Sequence, residues 1–337
     1  MNWLGLDIGG ANLKVANGSD FAASSTFAMW SQRDELTQEL RTLMAEAGIN
    51  DHLVVTMTGE LADCFGSKEE GVNFILDAVE EAAAGRHTRV YLSDGKMVTP
   101  QIARRKPHLA ASANWHALAR FSTRYAPQET ALLVDVGSTT TDLIPLVNDQ
   151  VAAQGQTDLE RLQAGELVYT GVERSPVCAV VRQVPFRGVS CQVAQEVFAT
   201  MRDVYILLKD LPEDSANVQT ADGKPATKAC SRTRLGRMIC ADSESFNHRD
   251  AVAMAQHIAD TQLELIAIQA KKVIARLPGP VSTVILSGHG EFLGKRLADK
   301  IKPQPKVVSL TKELGKVVSR CAPAHALVVL MREASAQ

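Results

Sequence analysis

The sequence lacks most of the motifs that announce a protein's chemistry at sight. Its six cysteines are Cys64, Cys178, Cys191, Cys230, Cys240 and Cys321. No two form a CxxC pair, and HExxH is absent, which excludes the usual zinc motifs. Thiols scattered through a chain of 337 residues are expected to be buried in a reducing compartment. There is no GxxxxGK[ST], so a P-loop is excluded. The late glycines Gly288, Gly290 and Gly294 miss the GxGxxG spacing of a dinucleotide fold. No apolar run approaches the ~18 residues of a membrane span. No basic segment with a cleavage site precedes "NWLGLDIGG", so the expectation is a cytoplasmic protein without a membrane partner. Neither sign of charge dominates: 36 Lys and Arg face 38 Asp and Glu, for a net charge of −2. Nucleic acid is therefore not an expected partner.

What is present is apolar mass, 45% of the residues, enough for one large core or two ordinary ones. There is also an internal repeat. "LGLDIGGANLKVA" from Leu4 lies on "LLVDVGSTTTDLIP" from Leu132, with Asp7 on Asp135, Gly9 on Gly137 and Lys14 on Asp142. Each copy reads as strand, small-residue turn and strand. Helical periods alternate with apolar runs over the rest of the chain, which predicts an α/β protein. Helices are expected over 33–48, 67–85, 192–211, 248–277 and the C-terminal "AHALVVLMREA". The segment "PEDSANVQTADGKPATKAC" has no period and reads as a mobile or functional loop. A boundary at residues 126–129 gives two lobes, 1–127 and 128–337, with the hairpins facing each other across a cleft. Self-association is left open.

Turns of Gly, Ser and Thr after a strand offer backbone N–H groups and hydroxyls without steric bulk, which suits phosphate. The candidates are Gly9, Gly10, Asn12 and Lys14 in the first copy, and Gly137, Ser138, Thr139, Thr140 and Thr141 in the second. Carboxylates beside phosphate call for a cation between them, so Asp7, Asp135 and Asp142 are the expected Mg²⁺ holders. A third Gly-rich turn, with Gly288 and Gly290 in "LSGHGEFL", follows a strand and opens a helix, a favoured anion position.

Two Asp-Gly hairpins and a late strand–turn–helix resemble the phosphate and adenosine motifs of the actin/sugar-kinase/Hsp70 superfamily. Together with "TMTGELADCF", "SANWHALA", "GELVYTGVERSPVCAVV", "DVYILLKDLPED", "TADGKPAT" and "RLGRMICAD", they resemble one family over nearly the whole chain. It is the hydantoinase/oxoprolinase-like family linked to tetrahydromethanopterin C1 transfer, whose archaeal members are methanofuran-biosynthesis synthases. The resemblance implies a two-lobed fold and an unusual reaction. An aminomethyl-furan-methyl diphosphate is joined to the phenol oxygen of a tyramine- or tyrosine-type acceptor, with release of pyrophosphate. An ATP-dependent kinase or a hydantoinase-type hydrolase of the same fold is the alternative, and a sensor without turnover a third. Further candidates are Glu60 as general base, amine ligand or merely an exposed helix acid, with Asp63 behind it. Trp115 is read as a stacking or core ring, His116 as a proton shuttle, and Arg174 as a phosphate or carboxylate partner. Asp222 and Lys224 lie on a loop that would close over the site.

Overall fold

The computed structural model describes residues 2–48 and 50–336. Two mixed sheets organise it. The first takes β1 (Trp3–Gly9), β2 (Asn12–Ala16), β3 (Ala22–Thr26), β4 (His52–Thr58), β5 (His87–Tyr91) and β6 (Met97–Val98) in the order β3-β2-β1-β4-β5-β6. The second contains β7 (Thr130–Val136), β8 (Thr141–Val147), β9 (Gln150–Val151) and β10 (Leu167–Val168). A small hairpin, β11 (Gln183–Phe186) and β12 (Val189–Gln192), stands apart, and β13 (Thr283–Ser287) and β14 (Lys306–Ser309) complete the second sheet in the order β10-β8-β7-β13-β14. In each sheet an antiparallel hairpin is followed by two parallel strands: β1 pairs β2 and β4, and β4 pairs β5, while β7 pairs β8 and β13, and β13 pairs β14. The molecule is an α/β protein with two mixed sheets of matching hairpin topology.

Local chemistry explains the main elements. The central strands are apolar on both faces because helices cover both. Helix Lys68–Ala83 starts where Ser67 accepts the Glu70 N–H, while the Glu70 carboxylate accepts from Gly66 N. Helix His248–Ile274 opens on a capping box between Asn247 and Asp250 and buries a stripe from Ala251 to Val273 under the second sheet. No helix among the described residues is long and apolar enough to cross a membrane.

Three readings differ from expectation. The helix predicted over 192–211 is confined to Met201–Leu207, because Gln192 ends β12 and a capping box between Thr200 and Asp203 starts the helix late. The aperiodic segment is pinned down by ion pairs. Asp222 binds Arg234 (2.9 Å) and Arg237 (3.0 Å), and the buried Arg234 also binds Asp203. Finally, 128–337 does not remain with the second sheet throughout. Helix Ala322–Ala336 returns to the first, where Leu327, Val328 and Leu330 pack with Trp3, Val54 and Tyr91. Gly5 admits it: a Cβ there would stand 2.0 Å from Ala324 O.

Candidate active site

The two hairpins meet at one cavity of about 260 Å³. Gly9, Gly10, Asn12 and Lys14 line it from one side, and Gly137, Ser138, Thr139 and Thr140 from the other. The repeat carries over into register. Asp7 stands directly opposite Lys14 across β1 and β2, and Asp135 directly opposite Asp142 across β7 and β8. The duplicated position thus holds a cation in one copy and an acid in the other. Lys14 Nζ lies 3.8 Å from Asp7, and Asp142 is matched by Arg161 from helix Asp158–Ala164. Burial raises the carboxyl of Asp7 above the usual range against the opposing effect of Lys14. Burial, with Asp142 opposite, pushes Asp135 up to about 6. Burial also raises Asp142, offset in part by Arg161.

Close backbone approaches fix the turns. Gly59 N donates to Ile8 O (3.0 Å), and a Cβ on Gly59 would stand 3.1 Å from the carbonyl carbon of Gly9. The segment after β10 folds onto the second turn. Val172 N donates to Gly137 O, and Glu173 N and Arg174 N donate to Ser138 O. A buried Gln262 supports this segment from below through Thr170 and Gly171. At the third motif, Gly288 has φ +81°, and a Cβ would meet Val136 O at 2.2 Å and Asp135 Oδ1 at 2.7 Å. Only glycine allows that turn to lie against the second hairpin.

A larger space of about 580 Å³ shares Asn12, Lys14, Asp135, Gly137, Ser138 and Arg174 with the first cavity and extends the cleft. Arg174 lies over the half-exposed Trp30 ring at 4.9 Å, so the contact spans the two lobes. Gly288, His289, Glu173 and Arg202 form the far wall. Burial opposes ionisation of Glu173, but His289 at 3.4 Å and Arg202 at 2.7 Å hold its carboxyl down at about 2.

Other candidates stand back from the cavity. The Thr141 hydroxyl is buried and donates to Thr170 O, and Gly290 packs on Val136 and Val172. Trp115 is buried beneath the Arg161 guanidinium, 4.2 Å from its ring centroid. His116 Nδ1 pairs with the Tyr91 hydroxyl at 2.9 Å, and burial lowers the imidazole to about 4. Asp222 is bound to Arg234 and Arg237, and neither Asp222 nor Lys224 lines the cleft, although Asn217 and Gln219 from the same segment do. Glu60 is not an exposed helix acid: it is 1% exposed, and burial pushes its carboxyl up to about 7. It lies behind the lining, and its Oε1 is 2.8 Å from Ser112 Oγ. Among the described residues, no three His, Cys, Asp or Glu side chains stand together as a metal-holding group. Asp7, Asp135 and Asp142 are thus not a ready ligand set, because Asp142 is taken by Arg161.

Sequence reasoning missed Arg161, Asp158 and Ser112, all of which line the cavity. A signal existed for the first two. Thr157 and Glu160 form a capping box, which starts a helix just after the second hairpin. Nothing local marks Ser112.

These features define one polar cleft between two lobes that carry duplicated hairpins. The chain belongs to the hydantoinase/oxoprolinase family, whose model matches residues 51–329. It is 33% identical over 335 residues to the (4-{4-[2-(gamma-L-glutamylamino)ethyl]phenoxymethyl}furan-2-yl)methanamine synthase of Methanocaldococcus jannaschii, covering 98% of this chain and 97% of the relative. A protein of the same name from Methanococcus vannielii is 31% identical over 203 residues, 60% of this chain and 90% of that one. Among solved structures, the activator of the 2-hydroxyisocaproyl-CoA dehydratase from Clostridium difficile aligns with a TM-score of 0.43 at 12% identity, covering 100% of this chain and 97% of that one.

Proposed function

We propose that the protein is a transferase of methanofuran-type cofactor biosynthesis. It joins an aminomethyl-furan-methyl diphosphate to the phenol oxygen of a tyramine- or tyrosine-type acceptor and releases pyrophosphate. Similarity to the M. jannaschii synthase over almost the whole of both chains supports this reading. The structural observation that carries it is the pair of small-residue turns closing on one cavity, with Lys14 and the Asp7 and Asp135 carboxylates at its base.

In this reading the diphosphate lies between the Gly9–Asn12 and Gly137–Thr140 turns, where Lys14 and the turn N–H groups stabilise charge as it grows on the leaving oxygen. Asp7 and Asp135 are the acids that would hold a Mg²⁺, since Asp7 Oδ1 is buried without a partner and both acids carry a cost of ionisation that a cation would remove. Two carboxylates with substrate and water oxygens are an ordinary Mg²⁺ environment. The metal would supply charge neutralisation at the departing pyrophosphate. The furan ring delocalises positive charge at the departing CH₂, and the acceptor enters through the larger space beside Trp30 and Arg174. The six thiols are free, in keeping with a cytoplasmic setting, although only Cys321 is buried as expected and Cys240 is exposed.

The test is product analysis by mass spectrometry with the furan diphosphate, Mg²⁺ and a series of phenolic amines. Equal amounts of aryl ether and pyrophosphate are expected. Turnover of ATP with no ether from any phenol would overturn the proposal in favour of a kinase or hydrolase.

A further inference from the structure

From the cavity wall inward, oxygens of Asp158, Ser112 and Glu60 lie in succession. Ser112 Oγ is 2.8 Å from Glu60 Oε1 and 2.8 Å from Asp158 Oδ2. Ser112 sits in the left-handed region at φ +48°, a strained conformation for a non-glycine residue that persists where the surroundings hold it. Its hydroxyl has one proton and can donate to only one of the two carboxyls. The other contact needs a proton of its own. Glu60 is the natural holder, being buried with Oε2 unpartnered. Asp158 is 31% exposed, lines the cavity, and is fixed by Arg161 through Oδ1 at 3.1 Å.

We propose that Asp158, Ser112 and Glu60 form a proton relay that takes the proton of the acceptor phenol out of the cavity and into the protein interior. The proposal rests on the aryl-ether reading above. Asp158 is the catalytic residue that meets the phenol, while Ser112 and Glu60 act through it. As the phenol oxygen bonds to the furylmethyl carbon, the carbon–oxygen bond to diphosphate breaks and its electron pair leaves with pyrophosphate. The phenol proton passes to Asp158, a proton moves from Asp158 to Ser112 Oγ, and the Ser112 proton moves to Glu60. The line gains one proton in total, which Glu60 later returns by the same route. The form that accepts the proton is the one with both carboxyls ionised, in which one oxygen–oxygen contact has no hydrogen. That form has high proton affinity, and phenol, with a pKa of ~10, needs such a partner.

The charged groups around the line set its titration. Asp158 raises the Glu60 carboxyl and Lys68 lowers it, both less than burial does, while Arg161 and Asp142 lie beyond Asp158. The proton-accepting form is populated above the Glu60 value of about 7, so the rate should rise with pH through that region. The inflection belongs to the coupled line rather than to one residue.

The experiment compares wild type, Asp158→Asn, Ser112→Ala and Glu60→Gln with phenols of graded acidity, measuring ether formation across pH. Asp158→Asn should lower kcat by ~10²–10⁴, with part of the loss recovered for the most acidic phenols. Ser112→Ala and Glu60→Gln should each abolish the inflection near 7. Alongside, ¹³C-carboxyl NMR of the protein alone should find a Glu60 signal that titrates near 7 and shifts in Ser112→Ala and Asp158→Asn. This readout requires neither turnover nor a folded Glu60 variant. An equal loss at every phenol acidity, or a Glu60 titration indifferent to both substitutions, would overturn the relay. A wild type that makes no ether with any phenol would instead overturn the aryl-ether reading, while the NMR titration still judges the hydrogen-bonded line.

Discussion

Arg161 is the residue on which the site's charge balance turns. One guanidinium, 2% exposed, answers both Asp142 and Asp158 and lies over the Trp115 ring. Removing one member of such a buried group leaves the others desolvated without a counter-charge, which costs about 3–5 kcal/mol. Arg161→Gln should therefore lower the unfolding free energy by an amount in that range, read as a lower midpoint in urea. Arg161→Lys should recover only part of it, because an ammonium cannot fork between two carboxylates or stack on an indole. A midpoint unchanged in Arg161→Gln would remove Arg161 from this role. In "TDLERLQAG" the same residue reads as one more solvated helix charge, since its burial arises from the approach of a helix to β8. Asp7, Lys14, Asp135 and Asp142 were legible because duplication put them at matching places, and a period is visible without knowledge of any contact. Glu60 was legible as a residue but not as a position. Its turn pointed to the sheet edge, while Ser112, 52 residues on, placed it behind the lining.

Among the elements, the turn of the second hairpin depends on the segment that folds over it. Three N–H groups of Val172, Glu173 and Arg174 hold the Gly137 and Ser138 carbonyls, and a Cβ at Gly171 would fall 2.5 Å from Gly137 O. That clash is with backbone and cannot be relieved by a rotamer change. Gly171→Ala should cost about 1–3 kcal/mol of stability and weaken binding of Mg²⁺ pyrophosphate by about tenfold, measured by calorimetry. Gly279→Ala, where a Cβ meets nothing within 4 Å, is the control and should bind as wild type does. Equal affinity in both variants would dissociate the segment from the turn. The hairpins themselves were readable from alternating apolar runs and turn chemistry. The β11–β12 hairpin was not, because "FRGVSCQVAQEVF" has an apolar spacing that suits a helix as well as a strand, and packing decides between them.

At the scale of the whole molecule, the first sheet is closed by the last helix. Arg332 binds Asn17 O at 2.9 Å and Gly18 O at 3.2 Å, and Ala324 lies against Gly5. Gly5→Val should undock the helix. Native-state hydrogen exchange should then find protection lost in β1, β2 and β4 while β7, β8 and β13 keep theirs. Uniform protection in both sheets would refute this division of labour. The same contact sets an order of events during synthesis. Strand β1 leaves the ribosome well before its cover, residues 322–336. Some 220 residues separate the end of the first sheet from that helix, which at ~5–20 residues per second is about 10–45 s of translation. Throughout that interval the nascent first lobe carries an apolar face that waits for this helix, and chaperone occupancy on the emerging chain should peak there.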